Sequence, residues 1–337
     1  MQAEHDVDNV RIGVIGVGHL GSLHAKMLAG IPGVMLEGVY DLDGGKAEKA
    51  ATEFGTTACP SLDDLLGRVE AVTIATNTLV HYEVAARALD RGKHIFLEKP
   101  ITQTIAEADV LCRSAREKNL IIQVGHIERF NPAILALEKY PIAPMFVESH
   151  RLAQFNPRGT DVAVVLDLMI HDIDLILSFV KSPVRGVEAN GVAVVSESVD
   201  IANARIQFEN GCVANVTASR ISQRKMRKMR LFQNSGYISI DFSEGTAEVF
   251  RLVEEGEPEV KGTMMLGEIG SGKFKRRIVY EQPVVREVNA LRHELTLFAR
   301  CVATGIPPVV SGEDGKRALE VAGAIMDKIS QQSFRMS

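Results

Sequence analysis

The sequence predicts an α/β protein: a doubly wound parallel sheet, followed by a second α+β domain on a mainly antiparallel open sheet. Three observations predict it. Short β-rich runs alternate with helical stretches from Val10 to Val124, the pattern of βαβ units around a sheet buried on both faces. A glycine-rich turn joins the first such strand to the first helix. After Gly125 the texture changes, and β-rich segments follow one another with hairpin punctuation. A chain of 337 residues, at roughly 150 per domain, is long enough for two domains, expected at 1–125 and 126–337, with the C-terminal helices able to pack back on the first.

The elements follow in order. Val10 to Ile15 reads as the first strand, Leu20 to Ala29 as a helix stopped by Gly30-Ile31-Pro32-Gly33, and Met35 to Tyr40 as the second strand. Lys46 to Phe54 is helical and ends at Gly55. Ser61-Leu62-Asp63-Asp64 and Thr104-Ile105-Ala106-Glu107 are capping signals that open helices. Ala71 to Ala75, His94 to Leu97 and Leu120 to Val124 are further strands, with Tyr82 to Arg91 the helix between the first two. Asn131-Pro132 opens a short helix and a longer apolar helix surrounds Asp167 to Val180. Ala202 to Phe208, Cys212 to Ser219, Arg227 to Phe232, Tyr237 to Phe242 and Ala247 to Leu252 read as neighbouring strands, the first two joined at Asn210-Gly211. Helices over Val288 to Ala303 and after the capping signal Ser311-Gly312-Glu313-Asp314 close the chain. The stretch Gly262 to Lys273 reads as a loop.

Composition excludes several function classes. Hydrophobic residues are 46% and charged residues 24%, ordinary for a globular protein. The net charge of −5 gives no global positive field for a polyanion, so nucleic acid is not expected as a partner. Cys59, Cys112, Cys212 and Cys301 lie far apart with no CxxC pair, which fits a reducing interior and no zinc site. The polar, acidic start Met1 to Asp8 and the lack of an apolar run near 20 residues point to a cytoplasmic protein that does not cross a membrane.

Gly16-Val17-Gly18-His19-Leu20-Gly21 follows an apolar strand and opens a helix, the context in which GxGxxG carries meaning. Gly16 permits the tight turn, Gly18 lets a pyrophosphate approach the positive helix end, and Gly21 allows close helix–strand packing. Asp41 ends the second strand, where a carboxylate accepts from a ribose diol and repels a 2′-phosphate. With Leu42 and Asp43 following it, and no Arg, NAD is expected rather than NADP. His19 either touches the cofactor or faces water, and His24 reads as structural.

Two further cues carry chemistry. Glu98-Lys99-Pro100 closes a buried strand at the carboxyl edge where open sheets bind ligands, and the chain entering Pro100 stays extended, which aims Lys99 at the crevice. A surface lysine or a plain ion pair is the bland alternative. Asp167 and His171 lie four apart on one face of an apolar helix, with Asp174 a turn further on. A core histidine satisfied by its carboxylate neighbour is the bland reading there. HExxH is absent, so no metal site is expected.

The glycine turn, Glu98-Lys99-Pro100, Gly125-His126-Ile127-Glu128-Arg129-Phe130-Asn131-Pro132 and Asp167 with His171 together resemble the glucose-fructose oxidoreductase / inositol dehydrogenase / MocA (Gfo/Idh/MocA) family. The resemblance spans nearly the whole chain. It implies an NAD(P)-dependent dehydrogenase of sugars or cyclitols, with an N-terminal Rossmann domain and a C-terminal domain for substrate and oligomerisation, as a homodimer or homotetramer. It further implies that Lys99 and His171 are catalytic, that Asp167 supports them, and that Glu98 lies on the nicotinamide side with Thr76, Asn77 and His81 near the cofactor. Asn77 and Met169 depart from the commoner proline and glycine. His171 would take the hydroxyl proton, since imidazole titrates near working pH, while Lys99 donates to the same oxygen; the two roles can be exchanged.

The His126 to Pro132 segment resembles the nucleotide-sugar branch of the family, UDP-N-acetylglucosamine 3-dehydrogenases among them, and implies a UDP-sugar oxidised at C3. Arg129 and Asn131 are the candidate substrate contacts. Arg224, Lys225, Arg227, Lys228 and Arg230 supply cations for a diphosphate, or else protect a solvated edge strand. Lys273, Lys275, Arg276 and Arg277 form a second run with the same ambiguity. An inositol or free-sugar dehydrogenase and a catalytically silent NAD-binding regulator are the alternatives.

Overall fold

The computed structural model describes residues 9–156, 162–234, 236–254, 262–270 and 276–336. The acidic start and the cations Lys273 and Lys275 lie outside them. The chain divides into two compact units, one of Met1–Phe130 with Asn289–Leu319 and one of Asn131–Val288 with Glu320–Ser337.

The first unit is the doubly wound sheet. Its strands are β1 (Val10–Ile15), β2 (Val34–Tyr40), β3 (Ala71–Ile74), β4 (His94–Glu98) and β5 (Ile122–Gly125), all parallel in the order β2-β1-β3-β4-β5. The order reverses between β2-β1 and β3, so the switch point lies at the carboxyl ends of β1 and β3. Five helices alternate with the strands: α1 (His19–Leu28), α2 (Gly44–Phe54), α3 (Leu62–Arg68), α4 (His81–Asp90) and α5 (Ile105–Glu117). Their ends follow the capping chemistry. The Ser61 side chain accepts from Asp64 N–H at 3.1 Å, Thr104 and Glu107 form a reciprocal capping box, and Gly55 closes α2 at φ 67°.

A later helix, α8 (Ala290–Thr304), completes this core. Its Leu295, Phe298 and Ala299 are buried with Ile12 and Val14 of β1 and with Ala25 and Leu28 of α1.

The second unit holds a nine-stranded sheet among the described residues, in the order β13-β14-β12-β11-β10-β6-β9-β8-β7. These strands are β6 (Phe146–Leu152), β7 (Val184–Val192), β8 (Ile201–Phe208), β9 (Val213–Ser219), β10 (Met226–Gln233), β11 (Gly236–Asp241), β12 (Thr246–Glu254), β13 (Thr263–Ile269) and β14 (Arg276–Glu281). All neighbours pair antiparallel except β6 and β9. Asn131 caps the short α6 (Pro132–Leu135), and α7 (Ile170–Val180) continues from a π-helical turn, Val165–Met169.

Two expectations are corrected here. Most of the stretch read as a loop from Gly262 is β13, paired with β14; its Met264, Met265 and Leu266 are exposed, so no buried face signalled a strand. The basic run Met226 to Arg230 belongs to β10, which lies between β6 and β11, so it does not guard a sheet edge.

Candidate active site

The glycine turn has the geometry its three glycines imply. Gly16 has φ 82°, and a Cβ there would meet Thr76 Cγ2 at 2.9 Å. A Cβ on Gly21 would lie 1.7 Å from the Gly16 carbonyl oxygen, so helix and turn touch backbone to backbone. A Cβ on Gly18 would meet nothing within 4 Å, leaving the approach to the helix open. No side chain caps α1 and its first turn holds no acid, so its free N–H groups and positive end are open to an anion.

Asp41, at the end of β2, anchors this turn. Its Oδ2 accepts from Val17 N–H at 2.8 Å and its Oδ1 from Asp43 N–H at 2.9 Å. A cleft of about 440 Å³ runs along Gly16, Gly18, Asp41, Leu42, Thr76 and Asn77. Open backbone above the turn, a carboxylate on one side and apolar walls together fit a dinucleotide. His19 and Leu20 are exposed at the first positions of α1.

At the far side of the switch point, β4 delivers Glu98 and Lys99, both half-buried, and the Lys99–Pro100 peptide is cis. Glu98 Oε1 pairs with His24 Nε2 at 2.9 Å. Asn77 is exposed and caps a 3₁₀ turn by accepting from Leu79 N–H at 3.0 Å.

His81 is 1% exposed, with Nδ1 3.0 Å from the Pro100 carbonyl and Nε2 3.3 Å from that of Thr76. Burial pushes its pKa below the ordinary histidine range, against the upward pull of those carbonyls. Both ring nitrogens face backbone carbonyls, and the imidazole ties the loop after β3 to that after β4.

The other candidates sit as follows. Arg129 is half-buried on a 3₁₀ turn, Ile127–Phe130. The Asn131 amide accepts from Ala133 N–H at 3.1 Å and donates to the Phe242 carbonyl at 3.2 Å. Asp167 is half-buried within the π-helical turn, a feature often found at functional sites. His171, half-buried, follows at the start of α7.

Two buried ion pairs, missed by sequence reasoning, hold this helix and its approach. Arg151 of β6 donates to Asp172 from Nε at 2.7 Å and from the guanidinium end at 3.3 Å, both residues being buried. Arg220 lies 3.5 Å from Asp200 and donates to the Val162 and Val199 carbonyls. Val164 N–H in turn bonds the Val199 carbonyl at 3.0 Å, fixing the chain just before the π-helical turn. Burial pushes the Asp200 carboxyl up, but N–H donors from Val194, Val195 and Ser196 and the Ser196 hydroxyl more than reverse this and hold it well below the usual range. An arginine in an alternating strand is the one local signal of the first pair.

The Arg151–Asp172 pair also shows which face of the sheet α7 covers. Directly opposite residues share a face, so Arg227, opposite Arg151, lies on the α7 side. Lys228 and Arg230, opposite His150 and Glu148, lie on the other. There Lys228 bonds Asp241 at 3.1 Å and Arg230 pairs with Glu148.

Among the described residues no group of His, Cys, Asp and Glu has the arrangement to hold a metal, and no helix is long and apolar enough to cross a membrane.

Comparison with known proteins gives the family. Residues 10–126 match the model of the GFO/IDH/MocA oxidoreductase family with its NAD-binding Rossmann fold, and residues 146–248 match the GFO/IDH/MocA C-terminal domain. The UDP-N-acetylglucosamine 3-dehydrogenase of Acidithiobacillus ferrooxidans is 37% identical over 97% of this chain and 98% of its own. Its solved structure superposes with a TM-score of 0.85, covering 95% and 98% of the two chains. A scyllo-inositol 2-dehydrogenase (NAD(+)) of Bacillus subtilis is 30% identical over 93% of this chain and 92% of its own. The chain belongs to the Gfo/Idh/MocA family of NAD-binding oxidoreductases.

Proposed function

We propose that this enzyme oxidises a secondary hydroxyl of a UDP-sugar, UDP-N-acetylglucosamine at C3, with NAD as acceptor. The observation that carries the substrate is the 37% identity to a UDP-N-acetylglucosamine 3-dehydrogenase across 97% of the chain, which includes the residues of both units. The first unit takes the cofactor and the second the sugar.

NAD, when bound, supplies the hydride acceptor. The protein's part is to position the alcohol and manage charge. His171 takes the hydroxyl proton as general base. Lys99 donates a hydrogen bond to the same oxygen and stabilises negative charge as it grows. Asp167 orients the imidazole. Asp41 selects the ribose diol, and the N–H groups of the glycine turn receive the pyrophosphate. Arg129 and Arg227, the latter on the face of the sheet that α7 covers, serve the substrate's diphosphate.

The enzyme acts in the cytoplasm as a homodimer or homotetramer. A row of half-buried aromatics supports assembly: Phe146, Phe232, Tyr237, Phe250 and Tyr280 stand side by side across five strands, ring centroids 5.0–5.9 Å apart, on the face turned from α7.

UDP-sugars, inositols and free hexoses offered with NAD, and read at the nicotinamide absorbance, test the substrate. Turnover with UDP-N-acetylglucosamine, and a rise in Tm with UDP alone, are expected. Turnover confined to inositols would favour the second reading, which the scyllo-inositol 2-dehydrogenase supports. Lys99→Ala and His171→Ala should each lower turnover by about 10²–10⁴ while the protein still binds NAD; unchanged turnover in both would remove them from the mechanism.

A further inference from the structure

None of the roles above uses the imidazole of His24. It lies in α1 just beyond the glycine turn, fully buried. Its ring stands edge-on to Phe96 at 5.3 Å, and Phe96 stands edge-on to Phe298 at 5.7 Å. Nε2 is 2.9 Å from Glu98 Oε1. A carboxylate only accepts, so Nε2 is the donor. Nδ1 is buried and has no partner among the described residues, so Glu98 alone dictates the tautomer.

On its other side β5 leaves room for Glu98. A Cβ on Gly125 of β5 would come within 3.0 Å of its carboxylate, so only glycine leaves that space. The Glu98 side chain is 13% exposed. Its place relative to a dinucleotide follows from the sheet order. Asp41 at β2 and the glycine turn at β1 take the adenosine and pyrophosphate, so the remaining nucleotide extends over the ends of β3 and β4. Glu98 ends β4.

We propose that His24 is a positioning residue that holds Glu98 as an oriented anion on the nicotinamide side, so that the protein favours NAD+ over NADH. The oxidised ring carries a positive charge that the reduced ring lacks, and a fixed carboxylate in a largely buried site attracts only the former. A spacer role in the core would affect both forms alike.

Apoprotein titrated separately with NAD+ and NADH tests this through the ratio of the two dissociation constants, which needs no turnover. Glu98→Gln should cut the preference for NAD+ roughly tenfold, the size of a single charge contact worth ~1.4 kcal/mol. His24→Phe keeps the ring packing on Phe96 but removes the donor, and should shift the ratio several-fold in the same direction. It should add nothing in the Glu98→Gln background. His24→Gln, whose amide can donate near the Nε2 position, should restore most of the preference. Equal weakening of both forms in His24→Phe would overturn the positioning role. An unchanged ratio in Glu98→Gln would overturn the whole proposal, and that variant decides the matter even if His24→Phe fails to fold.

Discussion

In the five-stranded sheet, β1, β3, β4 and β5 are buried along almost their whole length, and the candidate residues Gly16, Thr76, Glu98 and Lys99 follow or close the strands at one edge. In the nine-stranded sheet the strands alternate, with β6, β8 and β9 burying every second residue, and the candidates Asp167 and His171 ride on a helix laid over one face. The first arrangement aims side chains by where the backbone ends. The second aims them by what anchors the helix, namely two arginine–carboxylate pairs reaching across 21 and 20 positions of sequence. Chemistry placed by strand ends should therefore fail through glycines and loops, and chemistry placed on a helix through buried charges.

The largest effect on stability tests the second half of that contrast. Arg151→Met leaves Asp172, which is 1% exposed, as a buried charge without its arginine, and should cost about 3–5 kcal/mol in denaturant unfolding. The double variant Arg151→Met with Asp172→Leu should recover most of that loss. If the double variant is stable yet its turnover stays low, the pair's task is to orient α7. Full activity in it would show that packing alone aims His171.

The glycine turn tests the first half. Gly21→Ala forces a Cβ to 1.7 Å from the Gly16 oxygen and should lower Tm as well as abolish NAD binding. Gly18→Ala adds its methyl to open space, so Tm should stay within a degree or two while NAD affinity falls. The two glycines stand three apart in one turn and differ in what lies above them. A Gly18→Ala variant with unchanged NAD affinity would mean the pyrophosphate does not pass over that turn.

Much of the first unit was legible because its signals are local. Ser61, Thr104 and Ser311 each satisfy backbone donors within three residues, so the sequence around each cap suffices to place a helix. The opposite holds for β6, whose partners β9 and β10 lie far along the chain. β13 exposes Met264 and Met265 to solvent and offers no alternation to read. Within the site, glycine spacing and Asp41 were readable. The duties of His24 and His81 were not, since each is set by a carboxylate or carbonyl that only folding brings near.

Acid should separate the two units. His81, in the first, has a depressed pKa through burial, so the unfolded chain binds its proton first. The stability it contributes is complete above the unfolded value of about 6.5 and declines as pH falls from 7 toward 5. Asp200, in the second, is also depressed, but its stability is complete above an unfolded value of about 3.9 and declines only below pH 4. Hydrogen exchange from pH 7.5 to 4.5 should show protection falling in the loops after β3 and β4, and holding in the segment 193–200. His81→Gln should flatten the first trend. Simultaneous loosening of both regions near pH 6 would contradict this division.

The smallest effect comes from the outer face of the nine-stranded sheet. Lys228 and Arg230 project away from α7 and pair with Asp241 and Glu148. Both cations are about half exposed, and such pairs contribute roughly 0–1 kcal/mol. Lys228→Gln and Arg230→Gln should thus barely shift Tm and should leave KM for a UDP-sugar unchanged. Arg227→Gln, one residue along but on the opposite face, should raise KM with little change in kcat, the mark of a contact made equally in ground and transition states. A strand that alternates its cations between two faces can give one of them to substrate and the rest to the sheet. Equal KM effects from all three variants would show that the alternation does not divide them.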